Sequence, residues 1–185
     1  MKIEVDGFEF DFQNAVDAFV FDEKERSSPT YHGLSHAMKA VDLIVELEND
    51  YLFVEVKDFH APDEYQDGNC FNHLREVLKQ KYRDSFLYRW AEKKTDKPIR
   101  YLCLLTLDNA LVSRMNKEIR LHIPTGIAIE RWQRAIVKNS AVLNEERWNR
   151  NFPRWPVRRV ADTKFQHSGW KENLDSGRRE DGTGI

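Results

Sequence analysis

Three charged residues stand at positions where they could do chemistry within residues 39–59, KAVDLIVELENDYLFVEVKDF. Asp42 lies in one apolar run. Glu55 and Lys57 lie in the next, with only Val56 between them. Side chains alternate across a strand, so Glu55 and Lys57 project from the same face. If the two runs pair through Glu48-Asn49-Asp50, Asp42 reaches that face from the neighbouring strand. Two carboxylates and one ammonium at one point of a sheet suit a hard divalent cation, with a lysine beside it to handle protons.

The elements that must hold these groups are two strands, 40–47 and 51–57. Around the charges stand Val41, Leu43, Ile44, Val45, Leu47, Leu52, Phe53, Val54 and Val56. An almost continuous apolar run marks strands covered on both faces. Charges in such a run are costly unless paired or bound to a metal. The plainer alternative is a solvated sheet face, where charges alternate freely. Three charges inside a buried run favour a site.

Asp42 together with Glu55-Val56-Lys57 resembles the motif of the PD-(D/E)xK nuclease superfamily. The proline that often precedes that family's first aspartate is absent, and Val41 stands there. The resemblance implies an α/β protein with a restriction-endonuclease-like core, a central mixed sheet flanked by helices. It implies a metal-dependent endonuclease acting on nucleic acid, with DNA the expected substrate and defence or repair the expected setting. Asp42 and Glu55 would hold Mg2+, or Mn2+, and the carbonyl of Val56 would complete the shell. Lys57 would orient or deprotonate the attacking water, or stabilise the charge gathering on phosphorus. The products would be a 5'-phosphate and a 3'-hydroxyl.

Some members of that family add an acid from a preceding helix. Asp17, Asp22 and Glu23 are the candidates, with an ordinary exposed helix acid the favoured reading of each. Members with a Glu-x-Lys pattern often bring a glutamine or lysine from the following helix, and Gln80 and Lys81 match. Lys79, Gln80, Lys81 and Arg83 are therefore candidate nucleic-acid contacts, since lysine and arginine are the usual phosphate partners. A solvated basic face is the alternative.

Along the rest of the chain, residues 2–12 alternate as a small hairpin or edge strand turning at Asp6-Gly7. Asn14 as N-cap predicts a short helix over 14–24. Residues 26–37 read as a loop. Phe71, Leu74, Leu78, Tyr82, Phe86 and Trp90 recur at steps of three or four, predicting a long helix over 71–94. A buried strand over 99–107 follows, then a helix over 110–120 with Leu111, Met115 and Ile119 inward. A strand over 123–129 and a helix over 130–138 complete the predicted core. Residues 147–160 interleave arginines with Trp148, Phe152 and Trp155. Such a segment could follow a phosphate backbone and stack on bases. It could equally be a proline-bearing arm whose tryptophans pack on the domain.

A chain of 185 residues, 41% hydrophobic and 12% aromatic, can fill one core. Residues 1–161 are expected to form one domain. Residues 162–185 lose apolar periodicity and read as a flexible tail. A net charge of −2 leaves no global basic field, so any nucleic-acid surface must be local. Nothing resembles a signal peptide or a membrane span, and the expected compartment is the cytoplasm. Cys70 and Cys103 have no metal-ligand spacing and are expected to be reduced, buried thiols. None of the six histidines has a metal-ligand spacing either. The competing functional expectations are an inactive nuclease-fold scaffold, a nucleic-acid-binding module, or a toxin-like or immunity-associated subunit that needs a partner. A homodimer is also open.

Overall fold

A computed structural model describes residues 1–160. Strands β1 (Lys2–Val5) and β2 (Phe8–Asp11) form a hairpin. Its turn places Asp6 at φ 48° and Gly7 at φ 77°, the left-handed pair that an Asp-Gly hairpin turn requires. Then come β3 (Asp17–Val20), β4 (Leu43–Glu46) and β5 (Tyr51–Lys57). After a single 3-10 turn at Pro62–Gln66, the chain forms α1 (Gly68–Ala91), β6 (Ile99–Leu105) and α2 (Asn109–His122). It ends in β7 (Asn139–Leu143), α3 (Glu145–Asn151) and β8 (Val157–Arg159). Asp67 and Asp108 cap the two long helices, each accepting two backbone N–H bonds of the first turn.

Two sheets result, with strand orders β3-β4-β5-β6-β7 and β1-β2-β8. The larger is mixed. β3, β4 and β5 run antiparallel, while β5, β6 and β7 are parallel. Parallel neighbours need long crossovers, and α1 and α2 supply them. Both helices pack on one face, against Ile44, Tyr51, Phe53, Tyr101 and Cys103. The other face, with Val45, Leu52, Val54, Val56 and Leu104, meets the small sheet and α3 through Phe8, Phe10 and Trp148. This double cover is why β4 and β5 read as unbroken apolar runs. The architecture is α/β with a central mixed sheet, but one flank is largely a second sheet rather than helices.

Several expectations need correction. Residues 14–24 contain no helix. The run Ala18-Phe19-Val20-Phe21 suits a pleated edge, and β3 pairs with β4 from Asp17↔Glu46 to Val20↔Leu43. The Asn14 side chain caps nothing and instead accepts from Trp155 Nε1 at 2.7 Å. Residues 123–138 form neither the strand nor the helix expected. Gly126 takes a left-handed turn and donates to the Val137 carbonyl at 2.9 Å. The place beside β6 goes to β7, whose Asn139 and Ser140 hide the strand signal. The stripe on α1 also drifts. Steps of four residues overshoot a helical turn by about 40° each, so Phe86 and Trp90 rotate off the face that Leu78 defines. Trp90 is 55% exposed, whereas Lys81, Ser85 and Arg89 are buried.

The aromatic arm packs inward. Trp148 is fully buried, meets Phe10 edge-on with centroids 5.3 Å apart, and donates Nε1–H to the Trp155 carbonyl at 2.7 Å. Its neighbour Arg159 pairs with Asp58 and Arg158 with Glu9. Both cysteines are free, Cys103 buried and Cys70 half-buried rather than buried. No helix among the described residues is long and apolar enough to cross a membrane. The expected tail, 162–185, lies outside the described residues. Trp148→Ala should cost about 3–5 kcal/mol, read as a lowered urea midpoint with an unchanged slope. A loss below about 1 kcal/mol would mean that Trp148 does not anchor the small sheet.

Candidate active site

The site forms where β4 begins and β5 ends. Leu43 pairs with Val54, so Asp42, one residue before β4, stands opposite Glu55. Ladder pairing stops there, and the Asp42 side chain takes over. Its Oδ2 accepts the Val56 N–H at 2.6 Å. In an antiparallel pair, one residue's N–H and C=O face the same neighbour, so the Val56 carbonyl also faces the Asp42 side. Asp42 and Ile44 share a face with Tyr51, Phe53, Glu55 and Lys57, the face that α1 covers.

From α1, Lys81 enters this space. Its ammonium lies 3.1 Å from Asp42 Oδ1 and 2.8 Å from Glu55 Oε1. One nitrogen touching both carboxylates holds them within a single cation's reach. Lys57 Nζ approaches the same Glu55 oxygen from the mouth, at 3.4 Å, with its side chain one-third exposed. One turn along α1, Ser85 Oγ accepts the Val41 N–H at 2.9 Å, and Asp84 accepts the Lys39 N–H at 3.1 Å. These two bonds strap the approach to β4 onto the helix and fix where Asp42 stands. On the other side, the Phe21 N–H donates to the Asp42 carbonyl at 2.8 Å.

Glu55 is the electrostatic extreme. It is 0% exposed; its Oε1 meets the Lys81 ammonium at 2.8 Å and Lys57 at 3.4 Å, while its Oε2 has no hydrogen-bond partner. Burial, and then the Asp42 charge, push its pKa up, while Lys81 and Lys57 pull it back, leaving it at about 8. Burial alone would lower the Lys81 pKa, but Glu55 and Asp42 outweigh it and hold it raised, with Asp22 adding to them.

The residues present fit a hard cation. The buried Glu55 carboxylate keeps one oxygen, Oε2, without a hydrogen-bond partner. A second carboxylate and a backbone carbonyl face the same place, and magnesium keeps several waters rather than demanding a full protein cage. Among the described residues, no three His, Cys, Asp or Glu groups cluster closely enough to hold a metal by themselves. Such a cation would therefore rest on Asp42, Glu55, the Val56 carbonyl and water.

Of the upstream acids, Asp22 lies just beyond β3 and acts on Lys81, whereas Asp17 pairs with Glu46 at the opposite end of the same strand. Of the four basic-helix candidates, Lys81 reaches the carboxylates. Lys79 and Arg83 are each two residues away, about 200° around the helix axis, and so face elsewhere. With Gln80 they line a groove of about 320 Å³ shared with the 123–136 loop. Lys79 is paired with Glu76 and Arg83 with Asp84.

Asp6 was not foreseen. The hairpin turn carries it, exposed at its surface, towards the site, where desolvation and then the Asp42 charge raise its pKa against the pull of Lys57, Lys81 and Lys24. The only sequence signal there was the Asp-Gly turn. Ser85 could have been found, since Lys81, Ser85 and Arg89 recur at steps of four on one helical face.

The chain matches no protein-family profile, no curated protein and no solved structure.

The raised pKa of Glu55 sets a pH dependence. Above the ordinary glutamate value of 4.5, the unfolded chain has released a proton that the metal-free native state keeps up to about 8. Across that window the native state binds more protons, so this group lowers stability as pH rises. Glu55→Gln should remove the slope. Urea unfolding of both proteins from about pH 5 to about pH 9 reads it as a growing advantage of the variant. An advantage that shrinks with pH would refute the assignment.

Proposed function

We propose that the protein is a metal-dependent endonuclease that hydrolyses phosphodiester bonds of nucleic acid, with DNA the expected substrate, on a restriction-endonuclease-like core. The observation that carries this reading is the meeting of Asp42, Glu55 and Lys57 on one covered face, with Glu55 Oε2 left without a hydrogen-bond partner. A binding role alone gives no reason to bury such a carboxylate. Mixed strand order and a helix crossing from β5 to β6 are compatible with that core.

A bound Mg2+ or Mn2+ would neutralise phosphate charge and lower the pKa of an attacking water. The chain's own residues do the rest. Asp42 is oriented by the Val56 N–H. Glu55 is kept from water, which strengthens its pull on any cation. Lys57 stands at the mouth, where its ammonium can orient a water or donate to a phosphate oxygen.

A second reading is a metal-free binding module. Lys81 favours it, because its ammonium already partners both carboxylates without any metal. Supercoiled plasmid incubated with Mg2+ or Mn2+ separates the two readings. Nicking or linearisation is expected, with Asp42→Asn, Glu55→Gln and Lys57→Ala each slowing it about 100-fold or more while circular dichroism remains native. An inert wild type that still binds DNA, with affinity untouched by the three substitutions, would instead support the binding module.

A further inference from the structure

Lys81 occupies the place that the proposed cation needs. Its ammonium touches the same two carboxylates, at 3.1 and 2.8 Å, and its side chain is only 9% exposed. A compact ammonium in contact with both ligands cannot share them with a divalent ion. Resting on the nuclease reading, we infer that Lys81 is an internal counter-cation that keeps the metal position filled and must be displaced before metal loads. Lys81 therefore sets the site's metal affinity and so its readiness to act.

The geometry explains why the ammonium stays there and how it leaves. Without metal, Asp42 and Glu55 would face each other inside a covered sheet, and Lys81 offsets that repulsion. Yet the ammonium meets only Oε1 of Glu55, and Oε2 is left without a partner, so the pair is neutralised without being fully satisfied. A divalent ion brings twice the charge and binds carboxylate oxygens in the directions that Glu55 leaves open. The displaced ammonium is not stranded. Asp22, half-buried just beyond β3, already acts on Lys81. The long, unbranched lysine stem swings on its own torsions, with no movement of α1 required.

Mn2+ binding to the full chain, followed by calorimetry and by the Mn2+ paramagnetic resonance signal, tests this without activity as the readout. Lys81→Met and Lys81→Gln should bind Mn2+ at least about tenfold more tightly than wild type, since a competing charge has been removed. Glu55→Gln should abolish binding in either background. In the wild type, the lysine ammonium NMR signal of Lys81 should shift when Mg2+ is titrated in, which needs no variant to fold. If both Lys81 variants bind no more tightly than a wild type that binds and cleaves, the counter-cation role is overturned and the nuclease reading stands. If neither wild type nor variants bind Mn2+ and plasmid is untouched, both are overturned.

Discussion

Glu55 sits inside a sheet covered on both faces, fully buried, with its Oε2 left without a partner. A buried charge in that state is tolerated only beside a positive partner, and the partner must come from another element because the strands offer apolar neighbours. Lys81 is that partner, which makes α1 part of the site as well as a crossover. The helix is held in turn by the Tyr101 hydroxyl donating to the Leu78 carbonyl at 2.9 Å, one turn before Lys81. One turn after it, Ser85 grips Val41. The electrostatic demand of one glutamate thus runs through α1 to β6 and to the approach of β4.

That dependence separates what could be read in the sequence from what could not. Asp42, Glu55 and Lys57 were legible because a strand's two-residue period and a hairpin's pairing are local rules, and burial was legible from the unbroken apolar run. The hairpin, α1, β6 and α2 followed for the same reason. β3 was misread because Val16, Phe19 and Val20 fit a helical spacing as well as a pleated edge, and only the open side of β4 decided between them. β7 carried too little apolar signal, since its position beside β6 comes from parallel pairing across the sheet rather than from its own side chains. Asp6 was illegible in principle. No local rule says that a hairpin turn near the start of the chain will fold against the mouth of a site whose residues lie tens of positions later.

The two faces of the large sheet are built by different logics. On one, α1 and α2 continue the path of the chain, each following the strand it packs beside. On the other, the cover is assembled from distant segments: Phe8, Phe10 and Phe12 from the beginning, Trp148 and Trp155 from near the end of the described residues. The arginine-and-tryptophan arm is therefore structural, with its aromatic rings spent on the core and Arg158 and Arg159 engaged with Glu9 and Asp58.

The pairing of β8 with β2 has a consequence for how the chain emerges from the ribosome. Phe8 faces Arg159 and Phe10 faces Val157, so the small sheet cannot close until almost all the described residues have been made. Until then, the apolar underside of β4, β5 and β6 lacks part of its cover. Contacts of such long sequence separation form late and slowly, and exposed strand faces invite association with other chains. A chain that stops just short of residue 157 thus lacks the strand that closes the small sheet, and the face that sheet covers is left partly open to water.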